Sequence, residues 1–166
     1  MTEDNKINEA EIAVLNSILE RNHSFAQQLD TYANIMIALS SAIFIISFSQ
    51  LRDSFSPFWV VLGVTTGLST ILSLLMIRPP KRLRKRGQEE SLMFKSKIMS
   101  YKSAAEYNEQ IENMLNSRKE IIHQYSTETY NVAKYYYQPK KLIFFMARNV
   151  LLIGITTSLI LFLFGA

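Results

Sequence analysis

Few side chains in this 166-residue sequence can do chemistry, and their spacing narrows what that chemistry could be. His23 and His123 have no partner at the i, i+4 spacing of a metal-binding helix, so neither a metal site nor a catalytic site is expected. Glu89 with Glu90, and Glu109 with Glu112, are paired carboxylates in charged helical stretches, where a solvated face explains them. No cysteine is present, which excludes disulfides, thiolate zinc sites and cysteine nucleophiles. The five glycines stand at 63, 67, 87, 154 and 165, and this scatter writes neither a phosphate-cradling loop nor a dinucleotide fingerprint. No cofactor is expected, and the chain reads as a non-enzyme.

Cations and aromatic rings remain. The run from Arg78 through Lys81, Arg82, Arg84 and Lys85 to Arg86 could meet phosphates, whether of lipid or of a small ligand. A nucleic-acid polymer is the weakest of these partners. Lys134 and the triplet Tyr135, Tyr136 and Tyr137 stand just before Lys140 and Lys141. They suit an interfacial aromatic belt, or a platform that stacks a base and holds its phosphate. Both readings stay open.

These groups need elements to hold them, and the hydrophobic pattern supplies three. Residues 32–51 form an uncharged stretch of about the 20 residues that cross a hydrocarbon core. Residues 58–77 form a second, which opens on Phe58-Trp59 and stops against Arg78-Pro79-Pro80. Residues 142–164 form a third, interrupted by Arg148 and Asn149. The expectation is an all-α integral membrane protein with three transmembrane helices and a small cytoplasmic helical bundle. Arg148 is an intramembrane charge that must snorkel, line a polar path or pair with an acid, for which Asp30 is available. Few polar side chains are expected to line the spans.

Basic residues beside the spans set orientation. Between Arg78 and Lys141 lie 14 Lys or Arg against seven Glu, so residues 78–141 should be cytoplasmic. Residues 52–57, with one basic and one acidic side chain, form a short external loop. The N-terminal segment 1–31 is then a cytoplasmic helix continuing into the membrane, and the C-terminus lies on the periplasmic or external side. With six acids among the first 31 residues and no apolar core, that segment is not a secretory signal.

Local patterns fill in the rest. Ile12, Leu15, Leu19, Asn22, Ala26, Leu29 and Ala33 recur at three- and four-residue steps, one stripe of a helix. That stripe could pack within the chain or between copies. Ser103 with Glu106 and Ser117 with Glu120 fit the capping box and start two helices. The first carries Tyr107, Ile111, Met114 and Leu115 on one face, the second Ile121, Ile122, Tyr125, Val132 and Tyr136. Pro139 should separate the second of these from the third span or kink their junction. Gly63 with Gly67, Ala38 with Ala42, and Gly154 with Ser158 repeat the spacing that lets membrane helices approach closely, within one chain or in a homo-oligomer.

Taken together, Asp30-Thr31-Tyr32-Ala33 entering the first span, Ile77-Arg78-Pro79 leaving the second, and the stretch from Thr129 to Lys134 leading through Lys140-Lys141-Leu142 into the last resemble the transmembrane effectors of the Pycsar antiphage system. These are similar in style to other small bacterial defence proteins, the SLATT-type effectors. Tyr32 stands where related sequences often carry Lys. The resemblance implies an inner-membrane protein that responds to cyclic UMP or cyclic CMP made by a partner nucleotide cyclase. The implied outcome is impaired membrane integrity and abortive infection. Arg78, Lys81, Arg82, Lys134 and Tyr135 to Tyr137 are the ligand-binding candidates on phosphate and base chemistry. A structural or docking subunit, which recruits a cytoplasmic partner and uses its spans only as an anchor, is the alternative.

Overall fold

The computed structural model describes residues 8–53, 55–79 and 90–164. These form helices α1 (Glu9–Asp53), α2 (Pro57–Ile77), α3 (Lys95–Ile98), α4 (Ala104–Leu115) and α5 (Arg118–Asn131), then a π-helical turn (Val132–Tyr137) and α6 (Gln138–Leu163). No strand occurs among the described residues. The chain divides into two compact units. Described residues 8–25 and 90–137 make the first; 26–53, 55–79 and 138–164 make the second.

α1 is 45 residues long and carries the periodic stripe inward: Ile12, Leu15, Leu19, Asn22, Ala26, Leu29 and Ala33 are each buried or half-buried. Asn22 turns its Nδ2 back to the carbonyl of Ile18, 2.8 Å away, so its own helix satisfies it. α2 begins with Pro57 in its first turn, where a missing N–H leaves no bond unmade.

In the first unit the capping serines set the helix starts. Ser103 accepts from the Glu106 N–H at the head of α4, and Ser117 from the Glu120 N–H at the head of α5. The reciprocal arm of each box goes elsewhere. Glu106 takes the N–H of Lys102 rather than that of Ser103, and Glu120 takes the side-chain amide of Gln124. Met114, Ile121 and Val132 are buried, while Leu115, Ile122 and Tyr136 face outward. The apolar faces of α4 and α5 are therefore narrower than their apolar residues suggest.

In the second unit, contacts fix the direction of packing. Ser40 on α1 meets Thr70 on α2 through their hydroxyls at 2.8 Å. A Cβ on Gly63 would stand 3.5 Å from the Cβ of Ser47, and one on Gly67 3.2 Å from the ring of Phe44. As numbers rise on α1 they fall on α2, so the two are antiparallel. Ser69 of α2 donates to the carbonyl of Ala147 on α6 at 3.1 Å, and Gly154 lies directly on Thr65. α6 is thus antiparallel to α2 as well. A side chain at Gly154 would overlap that of Thr65, so this crossing exists only because position 154 has none.

Pro139 breaks nothing. Where a separation or kink was expected, helix runs from Arg118 to Leu163, and the backbone instead widens to a π-turn over Val132–Tyr137. In a regular α-helix the ring of Pro139 would meet the carbonyl of Tyr135, four residues back, and leave it without a donor. Tyr135 sits inside the widened turn, the usual accommodation for an interrupted hydrogen-bond ladder.

Candidate functional site

The π-turn is built from the residues singled out for base and phosphate chemistry. Val132 anchors it by burial. Lys134 and Tyr136 are exposed, and Tyr135 and Tyr137 are half-buried. The rings are held in place by neighbours in the same unit. Tyr135 stands edge-on to Tyr130 with centroids 6.0 Å apart, and Tyr137 lies 6.3 Å from Phe25, whose ring also carries the guanidinium of Arg21 at 5.5 Å. The turn therefore presents the exposed side chains of Lys134 and Tyr136, with the rings of Tyr135 and Tyr137 braced beside them.

Arg78 belongs to the second unit, exposed just past the end of α2. Lys81 and Arg82 lie outside the described residues. The stretch that re-emerges after them is fastened to α5. Ser91 donates to the buried carboxylate of Glu128 at 2.6 Å, and the N–H of Leu92 to Gln124 at 2.8 Å. Tyr107 on α4 donates to the carbonyl of Leu92 at 3.3 Å.

Elsewhere in the first unit, Arg118 grips both carboxylate oxygens of Glu11 with Nε and Nη2, the Nε bond being 3.2 Å. This hydrogen bond, helped by the N–H of Asn8, holds the Glu11 carboxyl below its ordinary 4.5. Tyr125 donates to Asn16 at 2.8 Å and ties α5 to α1 a turn and a half further along.

The second unit contains a charge pair that the order of residues conceals. Lys140 is fully buried and donates to Asp30. Asp30 is therefore engaged with Lys140 and not with Arg148, the partner considered for it. Arg148 faces outward instead, donating to its neighbour Asn149 at 3.1 Å and lying over Phe145 at 4.7 Å. Lys141 lies over the other side of the same helix face, 5.8 Å from the Phe145 ring. A ring flanked by two long cations on an outward face is the arrangement of side chains that reach along a helix toward polar surroundings.

Among the small-residue pairs, Gly63, Gly154 and Ser158 are buried and Gly67 is half-buried, all on inward faces. Ala38 and Ala42 are exposed. On α1 the inward small positions are instead Ala26, Ala33, Ser40 and Ser47, one heptad apart. Contrary to the expectation of few polar side chains, hydroxyls line the spans on their inward faces. Ser40, Ser47, Thr66, Ser69, Ser73 and Ser158 are all buried in this unit. The signal was present in the sequence as hydroxyls at helical spacing, but which side of each span they occupied was not.

No cluster of three or more metal-ligating side chains occurs among the described residues. α1, α2 and the run of α5 to α6 each hold a stretch long and apolar enough to cross a bilayer. Most of their large apolar side chains, among them Ile45, Val64, Leu68 and Ile153, point outward. That inverted distribution defines the class: a helical membrane protein with three membrane-crossing helices. A family model, the Pycsar effector protein domain, matches residues 14–165. The chain belongs to this family of antiphage defence effectors. No curated protein and no solved structure matches it significantly.

Proposed function

We propose that the protein is a non-enzymatic effector of the bacterial inner membrane, triggered by a cyclic pyrimidine nucleotide, cyclic UMP or cyclic CMP, from a partner cyclase. Triggering impairs the membrane and leads to abortive infection. The observation that carries this reading is the family match across nearly the whole chain, coupled to three membrane-crossing helices. The basic balance between residues 78 and 141 supports a cytoplasmic position for that segment and the N-terminal arm, on the side where the nucleotide is made.

The π-turn suits the trigger. Lys134 offers a charge for the phosphate and Tyr136 an exposed face for the base, with no break between the turn and α6. Bending or straightening the turn would rotate α6 about its axis. A nucleotide drives that change only to the extent that it binds one arrangement more tightly than the other. Arg78, Lys81 and Arg82 are the other phosphate-binding candidates.

The test uses the full chain in dye-loaded liposomes, challenged with cyclic UMP, cyclic CMP and, as control, cyclic AMP. Dye release with a pyrimidine nucleotide and not with cyclic AMP is expected. Retention under all three, with unchanged membrane potential in cells that also express a pyrimidine cyclase, would leave the docking-subunit reading. The exposed apolar side chains Val14 and Ile18 on α1 are what favour that second reading.

A further inference from the structure

The interior of the second unit is unusual in what it lacks. On α2 the buried positions from Gly63 to Ser73 are Gly63, Thr66, Ser69 and Ser73, so nothing larger than threonine is fully buried on this helix along about 15 Å. A soluble bundle would place leucine and isoleucine there, and here no leucine or isoleucine of α2 is buried, the large apolar side chains that are buried in this unit being Leu29 on α1, Met76 on α2 and Ile143 and Leu151 on α6. Most of the hydroxyls are satisfied. Thr66 donates to the carbonyl of Leu62 at 2.7 Å, Ser47 to that of Ile43 at 2.8 Å, and Ser69 across to Ala147.

Two are not. The Oγ atoms of Ser73 and Ser158 have no hydrogen-bond partner, although the residues are 1% and 0% exposed. An unpaired hydroxyl in an apolar interior is unfavourable, and a water molecule is the natural remedy where the surroundings are polar. Because α2 runs antiparallel to α6, with Ser69 at Ala147 and Thr65 at Gly154, Ser73 and Ser158 lie toward opposite ends of the hydroxyl-lined interior. The unsatisfied groups thus bracket the satisfied ones.

The geometry points to this hydroxyl seam as a site for water and small hydrated ions, and as the lining of the conducting path through a single chain. The inference rests on the membrane-impairing reading above and specifies where the leak runs. The path opens when α2 draws back from α1 and α6. Hydroxyls that cap their own helix carbonyls then face the gap and replace part of an ion's hydration. Little resists the separation, since in lipid the helices are held by close packing and hydrogen bonds and not by hydrophobic burial.

The absence of cysteine makes the test clean. Single replacements Ser69→Cys, Ser73→Cys and Ser158→Cys are made in the full chain, with Leu68→Cys and Leu152→Cys as outward-facing controls and Ala38→Cys and Ala42→Cys on the exposed face of α1. Each is reconstituted in dye-loaded vesicles with a water-soluble methanethiosulfonate cation, with and without cyclic UMP or cyclic CMP. Only a thiolate in contact with water reacts. Labelling of the three interior positions at least about tenfold faster than the leucine controls is expected. Interior labelling no faster than the controls under any condition overturns the seam. Labelling at Ala38→Cys and Ala42→Cys alone also overturns it, and places the path between copies. Dye retention under every nucleotide counts against the nucleotide-triggered reading, whereas the labelling comparison by itself decides the seam.

Discussion

In the unit of residues 26–53, 55–79 and 138–164, the buried positions are mostly small or hydroxylated, with Leu29, Met76, Ile143 and Leu151 as the large apolar exceptions, and most of the remaining bulk faces out. In the unit of residues 8–25 and 90–137, Met114, Ile121 and Val132 are buried, and long polar side chains such as Glu128, Gln124 and Arg118 reach across to fasten one segment to another. Under the proposed topology, with the first unit in the cytoplasm, the difference follows from the solvent around each unit. In water, burying methylene groups is itself the driving force. In lipid it is not, so helices must come close enough for backbone and hydroxyl contacts to hold them. The first unit should therefore tolerate altered surface charge but not lost apolar volume, and the second the reverse.

The largest expected effect breaks the exception to that rule, the Asp30–Lys140 pair. Asp30→Asn removes the carboxylate to which a buried ammonium donates, and should destabilise the protein by about 3 kcal/mol. Unfolding of the detergent-solubilised chain measures it. Exchanging the pair, Asp30→Lys with Lys140→Asp, should recover part of the loss; no recovery would mean that the pairing itself contributes little.

Next comes the crossing of α2 and α6. Gly154→Ala should cost about 2 kcal/mol by overpacking, read by the same unfolding measurement. Thr65→Gly in the same chain should relieve it, because the overlap is with Thr65 from its Cβ outward. Gly63→Ala, whose new methyl would sit 3.5 Å from Ser47, should be nearly neutral. Equal effects at positions 63 and 154 would refute close approach as the organising feature.

The first unit should respond more gently. Ser103→Ala and Ser117→Ala each remove a cap worth about 1 kcal/mol, visible as faster amide exchange in the first turns of α4 and α5. Smallest is the Glu11–Arg118 bridge, which is exposed to solvent. Because the Glu11 carboxyl is held below 4.5, its contribution is present above that value and fades as pH falls through the lower, folded value. Arg118→Gln should therefore speed exchange at the start of α1 near neutral pH. The difference from the parent chain should vanish in acid, and a difference that persists there would assign Arg118 a role other than this bridge.

Much of this was legible beforehand because it depends on local pattern. A stripe with helical periodicity must face one way, so Ile12 to Ala33 could be placed on one side of α1 from spacing alone. A serine three residues before a glutamate could be recognised as a helix start, although the reciprocal arms at Lys102 and Gln124 could not. Three apolar stretches of bilayer length, two of them uncharged, left little choice about fold class. The partner of Asp30 was not legible. Lys140 and Arg148 lie eight residues apart on the same helix, and only its rotation against α1 decides which of them turns inward. The same rotation left Ala38 and Ala42 outside and brought Ser40 and Ser47 in.

Composition and periodicity by themselves determined that this is a helical membrane protein and where α4 and α5 begin, since hydrocarbon demands apolar stretches of fixed length and exposed backbone donors demand caps. Only the tertiary structure decided which face of each span is the inside. Serine, glycine and alanine occur on several faces of these helices, and lipid exerts no preference strong enough to sort them. Close approach at Gly154 and Thr65 did the sorting, and the hydroxyl seam followed from it.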